Sequence, residues 1–134
     1  MTAVMPTVLI LDDDDAVRES LLYYFEDLGW GVHGAGTAEE ALVVARQINP
    51  AGVVVDIRLP GMDGCSFILE LEKTHPHVAC VICTGSPEYQ PPDYVLIRPQ
   101  VFAKIFSKPV SDLGELAESM RQHIMNCNVK AIHD

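Results

Sequence analysis

Positive charge is what this sequence has least of. Nine Lys and Arg stand against 19 Asp and Glu in 134 residues, a formal charge of −10. Non-specific nucleic-acid binding rests on basic side chains neutralising phosphates, so this balance argues against direct nucleic-acid binding. It suits protein partners with basic patches, or a bound cation. No apolar run approaches the ~20 residues of a membrane span, and Met1 to Pro6 lacks the basic flank of a signal peptide, so no membrane is expected. The four cysteines (Cys65, Cys80, Cys83 and Cys127) match no disulfide framework. Cys80 and Cys83 form a C-x-x-C inside an apolar run. On a strand, residues three apart point to opposite faces and cannot share one metal, so all four read as buried hydrophobes of a reducing compartment, the cytoplasm.

What is present reads as one compact domain, with 49% hydrophobic residues and no repeat or low-complexity stretch. Val8 to Leu11 is a continuous apolar run that ends in Asp12-Asp13-Asp14-Asp15. Val17, Leu21, Leu22, Phe25 and Leu28 then recur at helical spacing up to Gly29. Trp30 to Ala35 is a weak strand. Thr37 with Glu40 forms a capping-box pattern and opens a helix with an apolar face of Ala38, Ala41, Leu42, Ala45 and Ile48, ended by Asn49 and Pro50. Gly52 to Ile57 is a buried strand. Asp63 is the expected N-cap of a helix running to about His75.

Val78 to Cys83 makes a fourth strand. The stretch after it holds Pro87, Pro91, Pro92 and Pro99 and is poor helix material, since proline removes a donor and clashes with the preceding turn. Val101 to Phe106 is the expected fifth strand. Pro109 precedes a last helix facing inward through Leu113, Leu116, Ala117, Met120 and Ile124. The domain is expected to span residues 1–126, with a patternless tail from Cys127 to Asp134. Unbroken apolar strands alternating with amphipathic helices imply an α/β domain with a parallel, doubly wound sheet. Such folds bind ligands at the carboxyl ends of the strands.

Applied residue by residue, that rule gathers Asp12 and Asp13, Asp56, Thr84 and Lys108 at one edge. Carboxylates ~4 Å apart repel by about 4 kcal/mol at an effective dielectric of ~20, so such a cluster raises a pKa or holds a cation. An all-oxygen donor set selects Mg²⁺ or Ca²⁺, and the Asp12 loop lacks the Gly and Glu of an EF-hand. Lys108 and Thr84 suit the extra oxygens of a phosphoryl group, and the set is one for moving that group onto an aspartate. Each residue also has a plainer explanation. The Asp12 to Asp15 run would favour the positive end of the first helix, Lys108 could be a solvated lysine and Thr84 a turn residue. One acid suffices at a helix start, however, and a carboxylate closing a Val-Val-Val strand is costly to bury unpaired.

The strings VLILDDDDAVRESL, VVVDIRLPGMDG, CTGS and FSKPV, spread from Val8 to about Met120, resemble the receiver domain of two-component response regulators. The resemblance implies a flavodoxin-like (βα)5 fold with strand order 2-1-3-4-5. Asp56 would accept a phosphoryl group from a histidine kinase or a histidine phosphotransfer protein. Asp12 and Asp13 would hold Mg²⁺ with Asp56 and the Arg58 backbone carbonyl, and Thr84 and Lys108 would contact the phosphoryl oxygens. Such a domain signals rather than acting as an enzyme on a separate substrate, although it hydrolyses its own acyl phosphate. The Lys108–Pro109 bond is often cis in relatives. Two features depart from the pattern: Ile105 stands where an aromatic residue is usual, and the proline-rich stretch replaces a regular fourth helix. With no output domain after the last helix, output is expected through a separate protein. Two rival readings are a receiver scaffold that docks a partner without phosphorylation, and a haloacid-dehalogenase-type phosphatase using Asp12.

Overall fold

A computed structural model describes residues 5–86 and 88–133; Met1 to Val4, Pro87 and Asp134 lie outside the described residues. The elements alternate as β1 (Thr7–Leu11), α1 (Asp15–Asp27), β2 (Gly31–Ala35), α2 (Ala38–Ile48), β3 (Gly52–Asp56), α3 (Gly64–Thr74), β4 (Ala79–Thr84), α4 (Asp93–Leu96), β5 (Phe106–Ser107) and α5 (Leu113–His133). All strand pairs are parallel, in the order β2-β1-β3-β4-β5. This is the flavodoxin-like, doubly wound arrangement expected from the sequence.

Side chains of β1 alternate between two cores. Leu9 and Leu11 join the side covered by α2 and α3, with Phe67, Ile68 and Leu71. Val8 and Ile10 join the side covered by α1 and α5, with Phe25, Leu116 and Met120. A sheet buried on both faces needs apolar residues at every position, which is why the central strands read as unbroken runs. Cys80 and Cys83 obey the same alternation and fall in opposite cores. Burial pushes both thiols up to about 12, so they are protonated, inert hydrophobes.

The helix starts follow the sequence signals. Asp14 caps α1 by accepting from the Ala16 and Val17 amides, Thr37 caps α2 through the Glu40 amide, and Asp63 caps α3 through the Ser66 amide. The return bond of the capping box goes to a different donor than the pattern implies, because Glu40 Oε2 accepts from the Gly36 amide.

One element follows the sequence expectation closely, and two depart from it. The fourth helix is reduced to the four residues Asp93–Leu96, beginning directly after Pro92, so the proline-rich stretch is short and irregular as anticipated. The fifth strand does not run from Val101 to Phe106. Val101 makes an isolated bridge to Cys80, and regular pairing starts only at Phe106 opposite Cys83. Three steps along β4 are therefore matched by five along the incoming chain, and the surplus bulges outward with Ala103 and Lys104 exposed. An edge strand has one free side and accommodates such an insertion. The patternless tail expected from Cys127 is helical instead, since α5 continues to His133 and buries Cys127 one turn beyond Ile124. No helix among the described residues is long and apolar enough to cross a membrane.

Candidate functional site

The carboxyl ends of β1, β3 and β4 and the end of β5 meet at one edge of the sheet. β1 runs out at Leu11, and the next two residues, Asp12 and Asp13, begin the loop to α1. Asp12 is buried and Asp13 is exposed. Asp56 is the last residue of β3, only 3% exposed, and stands in register with Cys83. One carboxylate oxygen from each of Asp12, Asp13 and Asp56 falls within a 4.8 Å span.

Lys108, just beyond β5, reaches into this cluster. Its Nζ donates to Asp12 Oδ2 at 3.0 Å and to Asp56 Oδ2 at 3.1 Å. The other oxygen of each acid is held by the backbone. The Asp14 amide donates to Asp12 Oδ1 at 2.9 Å, and the Arg58 amide donates to Asp56 Oδ1 at 3.2 Å. The Lys108 amide also donates to the Thr84 carbonyl at 2.8 Å, which ties the lysine to the end of β4, and the Lys108–Pro109 peptide is cis.

Burial, reinforced by the Asp12 charge, pushes the Asp56 carboxyl up to about 6, against the opposing pull of Lys108 and the Arg58 amide. At neutral pH Asp56 is therefore mostly ionised, yet more basic than an ordinary carboxylate. Burial alone would lower the Lys108 pKa; its hydrogen bonds and charge pairing with Asp12 and Asp56 outweigh this and raise it. The pair is an ammonium held between two buried carboxylates.

Thr84 is buried at the end of β4, but its hydroxyl is engaged within its own loop. It accepts from the Ser86 amide at 3.1 Å and donates to the Ser86 carbonyl at 3.4 Å. The structure thus brings Asp12, Asp13, Asp56 and Lys108 into one cluster and sets Thr84 beside it with its hydroxyl otherwise occupied.

Beyond Asp56, the chain turns through Leu59, Pro60 and Gly61 to α3. The last glycine of the LPGMDG string has a steric reason to be there. A Cβ on Gly64 would lie 2.5 Å from the Asp56 carbonyl oxygen and 2.7 Å from the Ile57 Cα. Only glycine lets the first turn of α3 pack this closely against the strand that carries Asp56.

Sequence reasoning passed over two side chains near the site. Tyr89 has no motif to mark it, yet it lies under the Arg58 guanidinium, and its hydroxyl is 3.9 Å from Cys65 Sγ. Tyr89 and Arg58 help line a cavity of about 620 Å³ with Ile57, Leu59, Gly61 and Asp63. Arg18 was also missed; its signal was a lone basic residue one helical turn after four acids. It donates to the Asp12 carbonyl and pairs with Asp15. The four consecutive aspartates therefore have four different surroundings: Asp12 meets Lys108, Asp13 faces solvent, Asp14 caps α1 and Asp15 meets Arg18.

Comparison with known proteins points one way. The sequence model for the "Response regulator receiver domain" matches residues 8–121. The chain is 31% identical to the response regulator GacA of Pseudomonas protegens over 119 residues, covering 87% of this chain and 54% of that protein. It is 36% identical to the transcriptional regulatory protein FixJ of Azorhizobium caulinodans over 78 residues, covering 58% of this chain and 37% of FixJ. The chain thus spans roughly a third to a half of the length of these two curated relatives. The crystal structure of the signal receiver domain of an HD domain-containing protein from Pseudomonas fluorescens superimposes with a TM-score of 0.83. It covers 93% of this chain and 98% of that one, at 22% identity.

Proposed function

This chain belongs to the response regulator receiver domain family of two-component systems, and from that premise we propose that it accepts a phosphoryl group on Asp56 in a Mg²⁺-dependent step. The observation that carries the proposal is the buried Asp56 carboxylate, 3.1 Å from Lys108 at the edge where Asp12 and Asp13 also converge.

The donor is a phosphohistidine of a histidine kinase or phosphotransfer protein. An Asp56 carboxylate oxygen attacks phosphorus, the new O–P bond makes an acyl phosphate, and the P–N bond breaks with its electrons returning to the imidazole. Each residue of this chain has a separate task in that step. The Arg58 amide fixes one oxygen of Asp56. Lys108 neutralises charge on the other and stays on the phosphoryl side as negative oxygens arrive. The raised basicity of Asp56 makes it a better nucleophile while leaving it ionised near pH 7. Thr84 lies one residue beyond the strand partner of Asp56, and its hydroxyl exchanges its Ser86 contacts for a phosphoryl oxygen.

The donor set fits a hard cation: three carboxylates within one span, all oxygen, and no His or Cys. Asp12, Asp13 and Asp56, with the Arg58 carbonyl, would hold Mg²⁺. When bound, that ion offsets the charge that three carboxylates and a phosphoryl group bring together. The protein is a signalling domain whose only chemistry is on itself, through phosphoryl acceptance and hydrolysis of its own acyl phosphate. Its net charge of −10 suits output through contact with a protein surface in the cytoplasm rather than through direct binding of this domain to nucleic acid.

Incubation with acetyl phosphate and Mg²⁺, read by intact mass, tests the proposal. Wild type gains one phosphoryl group, and neither chelator-treated wild type nor Asp56→Asn does. A full gain in Asp56→Asn that is lost in Asp12→Asn would move the nucleophile to Asp12 and overturn the assignment.

A further inference from the structure

We infer that Arg18 is a positioning residue for the acidic loop, holding Asp12 by its backbone so that its carboxylate is presented to the cation. This rests on Asp12 and Asp13 being cation ligands.

Asp12 is the first residue after β1, where the strand ladder stops and a buried carbonyl needs another donor. Its amide still reaches β2, donating to the Ala35 carbonyl at 3.1 Å. Its carbonyl is taken by Arg18 Nη1 at 2.7 Å, while Nη2 of the same guanidinium meets Asp15 Oδ1 at 2.6 Å. One planar fork therefore bridges the first and last acids of the run. Arg18 stands on α1, whose N-cap is Asp14, and the Asp14 amide donates to Asp12 Oδ1. Backbone and carboxylate of Asp12 are thus referred to the same helix start.

The neighbouring strand leaves room for this. A Cβ on Gly34 would lie 3.2 Å from Arg18 Cδ and 3.1 Å from Leu22 Cδ1, and one on Gly36 would lie 3.4 Å from Arg18 Nη1. Gly34, within β2, leaves room that a side chain there would crowd, while a Cβ on Gly36, just past the strand, would be at ordinary contact distance. The Arg18 side chain is only 20% exposed and its bond to the Asp12 carbonyl is partly shielded from water, whereas the Asp15 end of the fork is exposed.

Charge and position make opposite predictions here. As a like charge near the cation, Arg18 should weaken Mg²⁺ binding, and its removal should strengthen it. As a support for Asp12, its removal should weaken binding, and outer partners of metal ligands are typically worth ~10–100-fold in affinity. Lysine keeps the charge but has one ammonium and cannot reproduce the fork. Gly34→Ala changes no charge at all and crowds the stem, which must give by a few tenths of an ångström.

Calorimetric titration of the protein with Mg²⁺ decides between them, with near-UV circular dichroism of the buried Trp30 confirming a native fold. The dissociation constant is expected to rise about tenfold in Arg18→Met, and in the same direction in Arg18→Lys and Gly34→Ala. In metal-free protein, amide exchange at Asp14 should also accelerate severalfold in Arg18→Met. Unchanged or tighter Mg²⁺ binding by Arg18→Met overturns the inference. If that variant does not fold, unchanged affinity in both Arg18→Lys and Gly34→Ala overturns it. Failure of wild type itself to bind Mg²⁺ removes the cation-site reading and this inference with it, an outcome distinct from the other two.

Discussion

The Arg58 guanidinium lies over the Tyr89 ring, 5.2 Å from its centroid, and joins the loop after β3 to the irregular stretch after β4. Arg58 is also the residue whose amide holds Asp56, so the stack begins two residues from the proposed phosphorylation site. Ile105 packs into the α2–α3 side of the core and offers neither a ring nor a polar tip for relaying a change at Thr84.

Phosphorylation is therefore expected to act on the ordering of residues 88–99. A phosphoryl group on Asp56 competes with Tyr89 for the guanidinium, and an exposed cation–π contact is worth ~0.5–1 kcal/mol. Hydrogen exchange with and without beryllofluoride should change most in that stretch. Tyr89→Ala should raise exchange there by up to about fivefold without the mimic. A response confined to α1, with residues 88–99 unchanged, would contradict this route.

The pH dependence of stability follows from Asp56. Its carboxyl titrates near 6 in the folded protein against an ordinary 3.8, so between those values the folded state binds the proton more tightly. In chelator, stability is expected to fall as pH rises from about 4 to 6 and to level off above. A shift of about two pH units corresponds to roughly 3 kcal/mol as an upper figure. Asp56→Asn should flatten this slope and be more stable than wild type at pH 7. Urea denaturation at pH 4, 5, 6 and 7 checks both statements, and identical slopes for the two proteins would rule the effect out.

Mg²⁺ should stabilise the folded protein by binding among the Asp12, Asp13 and Asp56 carboxylates. A tenfold excess over the dissociation constant stabilises the native state by ~1.4 kcal/mol through mass action. Thermal unfolding with millimolar Mg²⁺ should show a raised melting temperature in wild type and a smaller gain in Asp13→Asn. Asp13 is exposed, so its loss should leave the metal-free stability within about 0.5 kcal/mol. Equal gains in both proteins would mean that Asp13 is no ligand.

Gly64→Ala tests the close approach of α3 to β3. Its Cβ would meet backbone atoms of Asp56 and Ile57, which cannot rotate aside as a side chain can. Forced overpacking of this kind costs ~1–3 kcal/mol. Denaturant midpoints should fall accordingly, with weaker Mg²⁺ binding than wild type because the strand end bearing Asp56 must shift. A neutral substitution would show that the helix can retreat without cost.

Much of this protein was legible along the chain because its signals are local or periodic. Apolar runs mark β1, β3 and β4, and spacing marks α1, α2 and α5. Asp63 and Thr37 cap the helices that their positions imply. Asp12, Asp13, Asp56, Thr84 and Lys108 could be grouped in advance because parallel strands deliver their carboxyl ends to one edge. The residue types alone then limited the chemistry to hard cations and phosphoryl oxygens.

Contacts across that edge depend on distances no spacing encodes. The sequence shows four aspartates in a row; packing alone assigns one to Lys108, one to solvent, one to a helix cap and one to Arg18. The bulged fifth strand is settled by how many residues of its neighbour the chain must span, and the length of α5 by the burial of Cys127 beyond the readable pattern. Tyr89 meets Arg58 across 31 residues of sequence because the shortened fourth helix leaves its loop lying against the β3–α3 turn. Local propensity and periodicity specify elements, whereas pairing of side chains far apart in sequence is decided only when the sheet and its two helical layers close around them.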